Sequence, residues 1–126
     1  MNIPEDLKFT KTHEWVKIEG NKATVGITDF AQHEITDVVH VELPEISKGV
    51  IKAQPAAVIE SVKSAFDIYS PVTGKISAVN EEVLGSPELI NQDPYGKGFL
   101  FTVEFTETEN NELTALLSAE DYKKLI

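Results

Sequence analysis

The side chain best placed for chemistry is a lysine. Lys63 stands within Ser61-Val62-Lys63-Ser64, between the apolar runs 56–59 and 66–69, a pattern of two antiparallel strands joined by a turn. An amine at such a tip can be acylated because nothing shields it, and the flanking strands hold it in one place for a modifying enzyme. Acylation would remove its charge and leave a long swinging arm. By its own chemistry, a lysine in a surface turn is ordinarily no more than a solvated cation, so position alone does not assign the role.

The other reactive residue types offer less. His13, His33 and His40 are 20 and 7 residues apart and form none of the local pairs that announce a metal site, so surface or half-buried imidazoles are expected. There is no Gly-x-Ser-x-Gly elbow, no phosphate loop and no dinucleotide loop. The absence of cysteine removes thiolate nucleophiles, disulfides and thiolate metal sites, so sulfur chemistry must arrive on an attached group. With 21 acids in the chain, any chosen pair of carboxylates is cheap. No nucleophile and base stand out, and the expectation is a protein that is not an enzyme.

The composition frames this reading. A length of 126 residues suits one domain, and 41% hydrophobic with 25% charged residues is near the globular average. The net charge of −10 repels phosphate backbones and anionic lipid, arguing against nucleic acid and membrane partners. All eleven basic residues are lysines, which removes arginine's planar fork for phosphate. No apolar run reaches the ~20 residues of a membrane span. A starting methionine without a leader favours the cytoplasm, with a mature organelle-matrix protein as the other possibility.

The elements that must position Lys63 read mainly as strands. Residues 15–19 and 23–28 flank Gly20-Asn21 as a hairpin, and Asp29 can cap a brief helix through Ile35. Val39, Val41 and Leu43 alternate with Val38, His40 and Glu42, predicting a strand that ends at Pro44. Residues 75–79 resume the sheet, and 81–91 read as irregular with a helical turn. Phe99, Phe101, Val103 and Phe105 predict one face of a core strand. Thr106 and Glu109 have capping-box spacing before a helix carrying Leu113, Leu116 and Leu117. Ser118 can cap a last short helix whose Tyr122 and Leu125 pack on the sheet. Many short strands with terminal helices argue for a mainly β sandwich or barrel.

The segment Glu60-Ser61-Val62-Lys63-Ser64-Ala65-Phe66-Asp67-Ile68-Tyr69-Ser70-Pro71-Val72-Thr73-Gly74 closely resembles the lipoyl-attachment segment of glycine-cleavage H proteins. The resemblance extends, in the family's order, to His13-Glu14-Trp15-Val16, Ala23-Thr24-Val25-Gly26-Ile27-Thr28-Asp29, Val41-Glu42-Leu43-Pro44 and Asn91-Gln92-Asp93-Pro94-Tyr95-Gly96-Lys97-Gly98. Ala53 and Thr36 stand where glycine is expected, His40 where an aromatic residue is usual, and Phe99 where tryptophan is common. A biotin carrier would carry methionines beside its lysine, whereas Val62 and Ser64 stand there.

The resemblance implies a barrel-sandwich hybrid of two antiparallel β layers with short helices, including C-terminal ones, across a single carrier domain of residues 1–126. It implies lipoate attached covalently to Lys63. It also implies a cycle in which a pyridoxal-phosphate glycine decarboxylase loads an aminomethyl group, a folate-dependent aminomethyltransferase unloads it, and a dihydrolipoyl dehydrogenase reoxidises the arm. A lipoate ligase or lipoyl transferase would attach the group, and the carrier is expected to be a monomer. Some H-like proteins instead hand lipoyl groups to 2-oxoacid dehydrogenase subunits, and that relay role remains the alternative. Glu60 and Asp67 flank Lys63 and can steer the lipoylating enzyme, or simply keep the hairpin soluble. Thr12, Glu14 and Asp67 match positions that the resemblance assigns to a cleft for the loaded arm, where a carboxylate and a hydroxyl can hydrogen-bond a cationic amine. Glu14 could equally be an ordinary strand-edge acid, and Trp15 fits a core position better than a contact surface.

Overall fold

The computed structural model describes residues 1–126, and its elements form two antiparallel sheets packed face to face. The larger has six strands: β1 (Lys8–Phe9), β2 (Glu14–Glu19), β3 (Lys22–Ile27), β5 (Gly49–Val50), β8 (Gly74–Val79) and β9 (Phe101–Glu104). They lie in the order β1-β2-β3-β9-β8-β5. The smaller is β4 (Val38–Glu42), β6 (Pro55–Ser61) and β7 (Ala65–Tyr69), with β6 in the middle. This is the expected pair of β layers. Strands β1 and β5, two residues each, are too short to leave a period in the sequence.

Local chemistry explains the joints. Glu19 pairs with Lys22 across Gly20-Asn21, and Gly20 has φ +61°, as a two-residue hairpin turn demands. Trp15 pairs with Gly26, where any Cβ would come within 2.5 Å of the indole, so the ring can lie across β3 and donate Nε1–H to the Pro94 carbonyl at 2.8 Å. Helix α1 (Asp29–Ile35) is capped by Thr28, whose hydroxyl accepts from the Ala31 amide at 3.1 Å. The cap is therefore one residue earlier than Asp29, which becomes the acid of the first turn.

Three other expectations change. Strand β4 carries a bulge between Val38 and His40, so Val38 and Val41 are buried while Val39 is 53% exposed, breaking the simple alternation. Strand β9 starts at Phe101, and Phe99 packs with a separate cluster rather than on the Phe101–Val103–Phe105 face. Leu125 is 52% exposed, whereas Tyr122 is fully buried as expected.

The segment read as irregular contains two single-turn helices, α2 (Glu82–Gly85) and α3 (Leu89–Gln92). The Thr106–Glu109 capping box forms in both directions, at 2.9 and 3.3 Å, but Glu109–Ala115 winds as a 3-10 helix rather than an α-helix. Ser118 caps α4 (Ala119–Lys123) by accepting from the Asp121 amide.

Two apolar clusters hold these parts. Nineteen buried residues fill the space between the sheets. A second group of six, including Phe9, Trp15 and Tyr122, pins the N-terminal segment and α4 to the outer side of the larger sheet. Phe9 also pairs with Leu117 through two backbone hydrogen bonds of 2.7 and 2.8 Å.

Candidate functional site

Strands β6 and β7 form the hairpin read from the sequence, paired from Glu60–Ala65 down to Pro55–Tyr69. Ser61 builds its turn. Its amide donates to the Ser64 carbonyl at 2.8 Å, and its buried hydroxyl accepts from the amides of Lys63 and Ser64 at 3.1 and 3.2 Å. The Val62 amide donates to the Asp37 carbonyl, tying the turn to the start of β4. The backbone at Lys63 is thus fixed while its side chain is exposed. Its Nζ donates only to the Glu34 carbonyl, at 3.3 Å in the last turn of α1, and pairs with no carboxylate. Acylation of that nitrogen would break no ion pair, so the position fits a covalently attached acyl group.

Register fixes where the neighbouring acids point. Glu60 pairs with His40 on one side and Ala65 on the other, and Asp67 pairs with Val58, which pairs with Glu42. Directly paired residues share a face, so Glu60 and Asp67 both lie on the outer, exposed face of the smaller sheet.

Glu14 sits very differently from a strand-edge acid. It is 1% exposed, at the start of β2, and its carboxylate accepts from the hydroxyls of Thr10 and Thr12. Its second oxygen accepts from the Tyr69 amide at 3.3 Å, linking the two sheets. Burial pushes its carboxyl above the usual range, and the hydrogen bonds from Thr10, Thr12 and Tyr69 partly restore the ionised form.

Thr10, Thr12 and Glu14 line an open cleft of about 340 Å³ whose other walls include Lys52, Tyr69 and Leu116. Leu116 is held there because the Glu112 carboxylate of the 3-10 helix accepts from both the amide and the hydroxyl of Thr73. Thr12 also borders a neighbouring depression of about 300 Å³, shared with His13, Glu34, Phe66 and Asp67. The structure therefore joins Thr12 to Glu14 on one side and to Asp67 on the other, and does not bring Glu14 and Asp67 into one cavity.

Thr10, Lys52, Tyr69 and Leu116 are not assigned to a site by the sequence, in which Leu116 reads only as a helix position and Tyr69 only as part of a strand. The repeated threonines two and four residues before Glu14 were the only local sign of its support. His13, with φ +72°, joins a buried network in which its Nδ1 lies 2.8 Å from the Tyr122 hydroxyl, itself 2.7 Å from Thr28 Oγ1. Burial lowers the His13 pKa, against the pull of Glu34, and raises that of Tyr122 to about 12.

Two packed antiparallel sheets with short peripheral helices are the architecture of the lipoyl-domain-like class, and the chain falls within it. The sequence model described as glycine cleavage H-protein matches residues 7–126. The chain is 72% identical over 126 residues to a glycine cleavage system H protein of Endomicrobium trichonymphae, covering all of both sequences. It is 49% identical over 124 residues to one of Carboxydothermus hydrogenoformans, covering 98% of this chain and 94% of the relative. A crystal structure of a glycine cleavage system H protein from Mycobacterium marinum superposes with TM-score 0.84 at 34% identity, covering 97% of each chain. The chain belongs to the glycine cleavage H-protein family. Proteins of this family are lipoyl carriers rather than catalysts. No helix is long and apolar enough to cross a membrane.

Proposed function

We propose that this chain is the lipoyl carrier of a cytoplasmic glycine cleavage system, with lipoate amide-linked to Lys63. The observation that carries the reading is the exposed amine of Lys63 on a turn whose backbone is locked by Ser61. Lipoate held there would supply a reducible disulfide, the chemistry needed to carry the aminomethyl group of glycine between a decarboxylase and an aminomethyltransferase and to be restored by dihydrolipoyl dehydrogenase. The protein's part is to display, steer and shelter. Glu60 and Asp67 present negative charge beside the lysine, which suits recognition by a basic surface of the lipoylating enzyme. Thr12 and Glu14 offer a hydroxyl and a carboxylate in the 340 Å³ cleft, where a cationic amine would gain a charge-assisted hydrogen bond. Glu14 Oε2 has one protein partner, the 3.3 Å amide of Tyr69, so it retains capacity to accept from such an amine.

Intact and peptide mass analysis after growth with lipoate tests the attachment. The peptide containing Lys63 should gain one lipoyl group, and Lys63→Ala should gain none; a bare Lys63 in cells with a working ligase, or lipoate on another lysine, overturns the reading. Reconstitution with the three glycine-cleavage enzymes, scored by glycine-dependent carbon dioxide exchange, then separates a shuttle from a donor of lipoyl groups to other complexes. Glu60→Ala should be lipoylated more slowly than wild type, and an unchanged rate would remove Glu60 from recognition.

A further inference from the structure

On the outer face of the smaller sheet, away from the cleft, three side chains of metal-binding type converge. His40 and Glu42 are two residues apart on β4 and so share a face, and Glu60 on β6 pairs directly with His40. The bulge at Val39 makes this possible. Val38 faces inward opposite Ser61, and unbroken alternation would turn His40 inward as well; the extra residue resets the period and brings the imidazole out beside Glu60. The ligand atoms of His40, Glu42 and Glu60 all lie within 4.8 Å of one another. No lysine neutralises the two carboxylates, since the one ion pair of the structure, Lys124–Asp121, lies elsewhere.

We propose that His40, Glu42 and Glu60 bind a divalent transition-metal ion of the zinc class, with solvent completing the coordination. An imidazole nitrogen with two carboxylates suits zinc, nickel or copper, whereas magnesium and calcium prefer sites of oxygen alone. The paired strands fix the ligand-bearing backbone in advance, and the ion relieves the repulsion between two acids held close together. All three side chains are exposed, so the site exchanges its ion readily and needs no folding change to fill. This site stands on strand register and side-chain chemistry alone and does not depend on lipoate at Lys63.

The test is calorimetric titration of zinc chloride into metal-free, unmodified full-length protein, with histidine ring resonances followed by NMR. One saturable site is expected, with the His40 ring shifted and those of His13 and His33 unmoved. Altering the mere partners of metal ligands already costs tenfold or more in affinity, so His40→Asn, Glu42→Gln and Glu60→Gln should each weaken binding by about tenfold or more. His33→Asn should bind as wild type does, and excess magnesium should not displace the zinc. These surface substitutions leave both apolar clusters intact, and circular dichroism confirms folding. The proposal is overturned if zinc fails to saturate by about 1 mM, if His40→Asn binds as tightly as wild type, or if magnesium displaces zinc at equal concentration.

Discussion

Glu14 shows how a single carboxyl can be kept both buried and useful. Its hydroxyl and amide donors come from Thr10, Thr12 and Tyr69, so the cost of removing it from water is shared among hydrogen bonds from both sides of the inter-sheet space. Burial still dominates, and its pKa lies above the ordinary 4.5. The folded chain therefore holds this proton more tightly than the unfolded chain does. The stability it contributes is complete below the ordinary value and is lost as pH rises through the raised folded one. Chemical denaturation of wild type and Glu14→Gln from about pH 4 to neutrality should show wild type losing ground to the variant as pH rises. A difference that stays constant with pH would mean that Glu14 ionises as it does in the open chain. Trp15 and Val16 are legible as the start of a strand, but Glu14 stands one residue before it, and nothing in the order of residues reveals that the acid faces the inter-sheet space.

At the scale of elements, two departures from the family pattern find a physical meaning. Thr36 and Ala53, standing where glycine is expected, have φ of +66° and +67°. Thr36, at the C-terminal end of α1, also has ψ −151°, a region that is nearly restricted to glycine. The backbone at both positions thus lies in the left-handed region that favours glycine although each residue carries a side chain. Strain of this kind costs ~1–3 kcal/mol, partly offset by glycine's greater freedom in the unfolded chain. Thr36→Gly should therefore stabilise the protein by about 1 kcal/mol in urea denaturation; a variant less stable than wild type would show that the Thr36 hydroxyl bond to Ile35 outweighs the strain. The β6–β7 hairpin behaves differently: its strands and turn follow directly from apolar runs on either side of Ser61-Val62-Lys63-Ser64, because the pairing is local.

For the whole molecule, a charge of −10 spread over a surface with one ion pair makes electrostatics the long-range force between this chain and any partner. On the proposed function, docking must be weak enough to exchange among several enzymes, and charge steering meets that need. Raising salt from about 0.1 M to 1 M shortens the screening length from about 10 Å to 3 Å. The KM for the lipoylated carrier in the reconstituted system should rise severalfold over that range. A KM indifferent to salt would assign docking to apolar contacts such as the exposed Val62 beside Lys63. At high pH the Tyr122 network sets another limit. The stability due to its phenol is complete below pH 10 and is lost towards about pH 12, so wild type should lose its advantage over Tyr122→Phe in that interval.

The order of residues was enough to reveal the β hairpin, the exposed lysine, the caps at Ser118 and Thr106, and the family, because each depends on neighbours along the chain. The walls of the cleft, the inward turn of Glu14 and the meeting of His40 with Glu60 depend on partners far away in sequence. Tyr69 reaches Glu14 across 55 residues, and Glu112 holds Thr73 across 39. A bulge of one residue at Val39 decides which way His40 faces, and a period read from sequence carries no mark of where such an extra residue falls. Pairing between strands, rather than any local preference, made those choices, since only the packed sheets bring the competing hydrogen-bond partners within reach.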